Sequence, residues 1–215
     1  NNNILLTVGD FSHFMIAQDD DLNFGKIVSI DIDTKKYKFF SKGHRNPQGL
    51  IYIKEKDVIL STEHGPKGGD EINKIIENEN YGWPIASYGI IYGHEIKKLG
   101  PTFEEHAPNG FKEPSYYWKV NPGIGQIIEL PTNFSENLKD HFFITSLSGS
   151  LDKNNEHRGK SLYLVKFNES YEKVTSMDRL FIGERIRDII YSEDIEGFLI
   201  AMENSSSIGL VRVKK

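Results

Sequence analysis

Nearly the whole chain is written as short alternating apolar segments, each closed by a turn. Ile4–Val8 runs into Gly9-Asp10. Gly25–Ile32 and Tyr37–Phe40 follow, and Leu50–Leu60 is broken only at Lys54-Glu55-Lys56-Asp57. Glu71–Ile76, Gln126–Leu130, His141–Leu147, Ser161–Phe167, Lys173–Phe181, Ile186–Tyr191, Gly197–Met202 and Ile208–Val213 have the same character. A period of two sends successive side chains to opposite faces, the pattern of a strand with one buried side. No stretch has helical periodicity, and Phe134–Lys139 predicts one turn at most. The expected class is all-β.

The strands group in threes and fours with irregular spacing, which predicts a β-propeller with elaborated loops. The chain reads as a single partial propeller domain over residues 1–215, with a loop insertion at about 85–120. A loop that long in a compact domain is functional or mobile as a rule. The first unit starts at what reads as its second strand and the last stops after its third, which gives about three and a half blades. Open edges of that kind predict association into a homo-oligomer. The chain begins Asn1-Asn2-Asn3, with neither an initiator Met nor a signal peptide, so processing or truncation is expected upstream.

Composition removes several function classes. The 215 residues suffice for one large β core. A net charge of −5 argues against general nucleic-acid binding, which needs a basic stripe. With no cysteine, neither a disulfide framework nor a thiolate metal site can form. No apolar run reaches the length of a membrane span.

One pair of motifs concentrates the chemistry. Gly43-His44-Arg45-Asn46-Pro47-Gln48-Gly49-Leu50 opens one strand. Thr62-Glu63-His64-Gly65-Pro66-Lys67-Gly68-Gly69-Asp70-Glu71-Ile72-Asn73 closes the next and begins a third. In an antiparallel pair the start of one strand lies beside the end of its neighbour. Arg45, Asn46 and His64 are therefore expected on one rim, with the carbonyls of Gly65 and Pro66. Pro47 biases Asn46 toward an extended backbone. Gly65-Pro66 cannot continue a ladder, which frees those carbonyls to face a ligand. Arg185 and Arg187, two residues apart in a strand, are expected on one face.

GHRNPQGL, followed by TEHGP, GGDEIN and NYGWP (Asn80–Pro84), resembles the PQQ-dependent sugar dehydrogenases, a family that includes soluble glucose dehydrogenase and the aldose sugar dehydrogenases. The four motifs occur in family order. The resemblance implies the C-terminal three to four blades of a six-bladed propeller. It implies PQQ and Ca2+ as cofactors, a small-molecule sugar as substrate, and oxidation of its anomeric hydroxyl to a lactone. It implies a periplasmic or secreted protein and does not identify the electron acceptor. Arg45 and Asn46 match the family's cofactor-binding pair, Arg185 and Arg187 its second arginine pair, and His64 a rim position at the cofactor. Gly65 and Pro66 match the carbonyls that hold the catalytic calcium. Glu71 and Tyr81 match ligands of a structural one. Asp10 matches the aspartate that orients the general-base histidine, whose own position would precede Asn1. Tyr116, Tyr117 and Trp118 fall where the family places substrate contacts. Ser148 stands where the glucose dehydrogenase pattern has a PQQ-binding lysine.

PQQ carries three carboxylates, which arginine forks grip bidentately, and calcium takes oxygen ligands, carbonyls included. Each assignment has a plainer competitor. Arg45-Asn46 could tie a turn, Gly65-Pro66 could only end a strand, and Glu71 could be a solvated charge. Arg185 and Arg187 could pair with Glu184 and Asp188. Tyr116–Trp118 could be packing. The Asp19–Asp21 run reads as a solvated loop. His13, His94, His106, His141 and His157 have no ligand spacing. Two function classes follow: a quinoprotein sugar dehydrogenase, or a propeller of the same family that binds without catalysis.

Overall fold

In a computed structural model, residues 2–91, 105–149 and 158–213 are described. They hold fourteen strands in four antiparallel meanders, and the helical segments among them are short 3-10 turns. The all-β expectation holds, and sheets of three, four, four and three strands have the blade-like grouping read from the sequence. The chain forms two compact units, Asn1–Lys119 and Val120–Lys215.

In the first unit, β1 (Asn3–Val8), β2 (Lys26–Asp31) and β3 (Tyr37–Lys42) form one sheet in chain order. β4 (Pro47–Ile53), β5 (Val58–Glu63), β6 (Asp70–Ile75) and β7 (Tyr116–Trp118) form the next. The β4–β5 turn is the Lys54–Asp57 break, where Asp57 takes a left-handed φ of 53°. Between the sheets, Ile27, Ile75 and Tyr81 are buried against Leu5, Phe40, Leu50 and Ile59. A second cluster joins Ala17, Trp83 and Ile91. It includes Phe14, which meets the Trp83 ring edge-on at 5.3 Å. The Phe14–Gln18 turn is pinned from below by Lys26. That side chain is fully buried and donates to the carbonyls of Ile16 (3.1 Å), Ala17 (3.1 Å) and Phe24 (2.9 Å).

In the second unit, β8 (Ile124–Glu129), β9 (His141–Ser146), β10 (Ser161–Phe167) and β11 (Val174–Phe181) form a four-stranded meander. β12 (Ile186–Ser192), β13 (Gly197–Met202) and β14 (Ser207–Val211) form a three-stranded one. The core is aromatic and aliphatic: Phe134, Phe143 and Phe198 are buried with Leu162, Ile186, Ile189 and Ile200. Each such side chain contributes about 1.5–3 kcal/mol on leaving water.

Two elements differ from the sequence reading. Tyr116–Trp118 is a strand that completes the second sheet, so the irregular stretch ends before it rather than at about residue 120. Phe14–Gln18, for which the alternating pattern gave no element, is a 3-10 turn. Of the insertion, residues 92–104 lie outside the described residues, as do His94 and His157.

Candidate functional site

The rim of the second sheet forms as the motif pair requires. Register places Pro47 opposite Glu63, so Arg45-Asn46 and His64-Gly65 leave the β4–β5 pair side by side. The His64 amide donates to Asn46 O (3.0 Å), and Arg45 Nη1 donates to His64 O (2.9 Å). The Arg45 guanidinium lies 5.6 Å from the Trp83 ring centroid, in range of a cation–π contact. Arg45 Nε is buried with no partner among the described residues. Asn46 Oδ1 accepts from Gln48 Nε2 (2.9 Å).

His64 leads into a tight loop. The Gly65 amide donates to Asp70 Oδ1 (3.0 Å), and a Cβ on Gly65 would stand 2.2 Å from Gly69 O, so no other residue fits. The loop and its surroundings enclose a cavity of about 10 Å3, the space of one water-sized occupant. Its walls include Arg45, His64, Gly65, Pro66, Glu71 and Tyr81, all nominated from the sequence. Glu63, Trp83 and His106 also line it.

Glu71 is the dominant electrostatic feature. It is 8% exposed, and burial pushes its carboxyl well above the usual carboxylate range. The nearby Glu63 charge pushes the same way, against the hydrogen bond from Asn73 Nδ2 (3.3 Å). His106 Nε2 lies 3.8 Å from Glu71 Oε1. Asn73 Oδ1 is buried with no partner among the described residues. Oxygen-rich, acidic and water-sized, the cavity suits a hard cation. No three His, Cys, Asp or Glu side chains among the described residues group as metal ligands. A cation here would therefore rely on peptide carbonyls together with Glu71.

Asp10 lies against this rim. Its amide donates to Arg45 O (2.8 Å), and its carboxylate accepts from the Ser12 amide (2.9 Å) and Trp83 Nε1 (2.8 Å). Burial raises its pKa, and those two hydrogen bonds work against the rise. On β7, Tyr117 stacks on Tyr88 with ring centroids 3.7 Å apart, and Tyr88 stacks on His106 at 4.9 Å. Trp118 is 7% exposed and meets Tyr116 edge-on, which leaves the two tyrosines with more free surface than the indole.

Arg185 and Arg187 lie in the second unit, flanking Ile186 at the start of β12. Both donate through Nε to Glu203 Oε2, Arg185 at 2.9 Å. They hold that carboxyl below its usual range, Arg187 more strongly. Sharing one acceptor agrees with side chains on one face, but the carboxylate is Glu203 rather than Glu184 or Asp188. Ser148 Oγ accepts from Arg185 Nη1, so the serine in the lysine position orients an arginine.

Sequence reasoning gave no role to His44 or Glu63 and set His106 aside. His44 and Glu63 are buried partners 2.9 Å apart. Their signal is the register that sets Glu63 beside the GHRN turn. His106 declares itself through its stacking on Tyr88 and its approach to Glu71, which no local pattern encodes.

A family model described as Glucose / Sorbosone dehydrogenase matches residues 1–212. Aldose sugar dehydrogenase YliI of Escherichia coli is 28% identical over 226 residues, covering 98% of this chain and 56% of its own length. Quinoprotein glucose dehydrogenase B of Acinetobacter calcoaceticus is 38% identical over 104 residues, covering 41% of this chain and 22% of its own. Among solved structures, the apo form of the soluble aldose sugar dehydrogenase of E. coli aligns with a TM-score of 0.78 at 26% identity. It covers all of this chain and 61% of that one. A glucose dehydrogenase crystal structure aligns at 0.81 with 27% identity, covering 99% and 61%. The chain thus spans little more than half the length of the aldose sugar dehydrogenase. By its match along nearly its whole length, it belongs to the glucose/sorbosone dehydrogenase family.

Proposed function

We propose that these residues are part of a PQQ- and Ca2+-dependent oxidoreductase that oxidises the anomeric hydroxyl of an aldose to a lactone. The carrying observation is that Arg45, His64, Gly65, Pro66, Glu71 and Tyr81 converge on one oxygen-rich cavity. The Acinetobacter relative, named a quinoprotein, supports PQQ as the redox partner. The residues fit both groups. Arg45 has a buried Nε, unpartnered among the described residues, for a carboxylate to satisfy, and Glu71 is a buried acid that a divalent cation would relieve.

In this reading Arg45, Asn46 and His64 would bind PQQ in the first unit, and Arg185 and Arg187 are taken as cofactor-binding from the family resemblance alone. Of the two calcium ions that the resemblance implies, the cavity has room for one; Gly65 and Pro66 would offer carbonyls to the catalytic ion, and Glu71 and Tyr81 would be ligands of the structural one. When bound, PQQ supplies an ortho-quinone that accepts the hydride equivalent from the sugar. Asp10 orients a general-base histidine supplied from outside these 215 residues. Tyr116, Tyr117 and Trp118 would contact the sugar, Tyr117 with the ring face that Tyr88 does not cover. The protein acts in the periplasm or outside the cell.

A second reading, a non-catalytic propeller module, is favoured by Ser148, which puts a hydroxyl where a cation would grip the cofactor. Reconstitution of the protein with PQQ and calcium, followed by dye reduction with glucose, separates the two. The enzyme reading expects a PQQ absorbance change and sugar-dependent turnover. With neither, the module stands.

A further inference from the structure

We propose that His44 is a positioning residue for Arg45, acting through Glu63. The imidazole is fully buried. Its Nδ1 lies 2.9 Å from Glu63 Oε2, its Nε2 lies 2.8 Å from Ser41 Oγ, and its ring stacks on Tyr81 at 4.6 Å. Glu63, 4% exposed, uses its other oxygen to accept the Arg45 backbone N–H. The chain of contacts is therefore Ser41, His44, Glu63 and the Arg45 amide.

Two buried ionisable side chains are a costly way to tie one turn, because a serine or asparagine caps the same N–H without a charge. What the arrangement adds is direction. Glu63 fixes the Arg45 amide while Asp10 holds its carbonyl (2.8 Å) and His64 O takes Nη1 (2.9 Å). The guanidinium is held over Trp83, and its Nε is buried and unpartnered among the described residues. Misplacing such a group by about 1 Å is enough to lose most of its effect on a bound anion. Because a carboxylate only accepts, the geometry requires a proton on His44 Nδ1, facing Glu63.

That Arg45 serves PQQ rests on the function proposed above; the positioning itself does not. In His44→Asn the amide replaces Nδ1 and keeps the bond to Glu63. In His44→Gln it replaces Nε2 and keeps only Ser41. Amide exchange at Arg45 is followed by NMR in the cofactor-free 215-residue chain, and PQQ affinity is measured on the calcium-loaded chain. His44→Gln should expose the Arg45 amide and weaken PQQ binding about tenfold, the scale of one hydrogen bond to a charged group, whereas His44→Asn restores both. A merely structural role would lower both variants together. Unchanged Arg45 exchange in His44→Gln overturns the proposal. If neither variant folds, the imidazole nitrogen spectrum of the unaltered chain decides: an Nδ1–H tautomer supports the proposal and an Nε2–H tautomer overturns it. Failure of PQQ to bind the unaltered chain, with the exchange pattern as expected, sinks the cofactor reading alone.

Discussion

The two units treat charge in opposite ways. In residues 120–215 the described buried polar side chains are Asn121, Thr145, Ser146 and Ser161, all uncharged, around a core of phenylalanine and branched aliphatics. Every described buried Asp, Glu, Lys and His lies before residue 120: Asp10, Lys26, His44, Glu63, Asp70, Glu71 and His106. The arginines follow the same division. Arg45 is half-buried and held at its amide, carbonyl and guanidinium. Arg187 is exposed and leans on one exposed carboxylate. Burying a charge costs several kcal/mol unless it is paired, and an apolar replacement is often the more stable choice. The second pair of sheets has no fully buried charged residue among the described ones, although the half-buried Glu184 keeps its Oε2 covered and without a partner among them. In the first unit Lys26 is used to pin the Phe14–Gln18 turn, whereas Glu63 and Glu71 line the cavity for which a ligand is proposed.

The largest test of the contrast is on the apolar side. Phe198→Ala removes the ring that meets Phe134 at 4.8 Å and Phe143 at 5.2 Å, and should cost about 3–5 kcal/mol in denaturant unfolding. It should leave any calcium response of the first unit intact. Loss of that response would mean that the division between the units is false.

Next comes Glu71→Gln. Calcium at a hundred times its Kd should stabilise the unaltered chain by about 2.7 kcal/mol, seen as a rise in Tm, and the variant should lose that rise. The response should also shrink as pH falls, because the proton competes with the cation for a carboxyl whose pKa is raised. Without calcium the sign reverses. A folded pKa above the unfolded one gives a contribution that is complete below the unfolded value and fades as pH rises through the folded one. The calcium-free chain should therefore lose stability on that side of the titration.

The smallest effect belongs to Arg187→Ala. An exposed pair contributes about 0–1 kcal/mol, so stability should hardly change and PQQ affinity should fall by no more than about fivefold, less in high salt. A large, salt-independent loss would mean that Arg187 is as fixed as Arg45.

The strands were legible because alternation is a local signal, and nearly every run named from the sequence is a strand within a residue or two. β7 was not, because three aromatic residues at the end of a long loop offer no period to read. Phe14–Gln18 is likewise too short for one. At the site, Arg45, His64, Gly65, Pro66, Glu71 and Tyr81 could be nominated because the motifs run through one hairpin and its continuation. His44 and Glu63 sit inside those motifs, yet their pairing depends on register, and no residue spacing states what a buried imidazole faces. Glu203, the partner of both Arg185 and Arg187, lies a hairpin away from them and was hidden for the same reason.

The central claim is that Arg45 anchors an anionic redox cofactor beside a cation-sized cavity. PQQ titrated into the calcium-loaded chain, with tryptophan emission reporting from Trp83 beneath the guanidinium, tests it most directly. The account predicts saturable quenching that Arg45→Ala weakens by about 10–100-fold, with the far-UV circular dichroism unchanged. Equal affinity in the two proteins, or an unfolded Arg45→Ala, would contradict it.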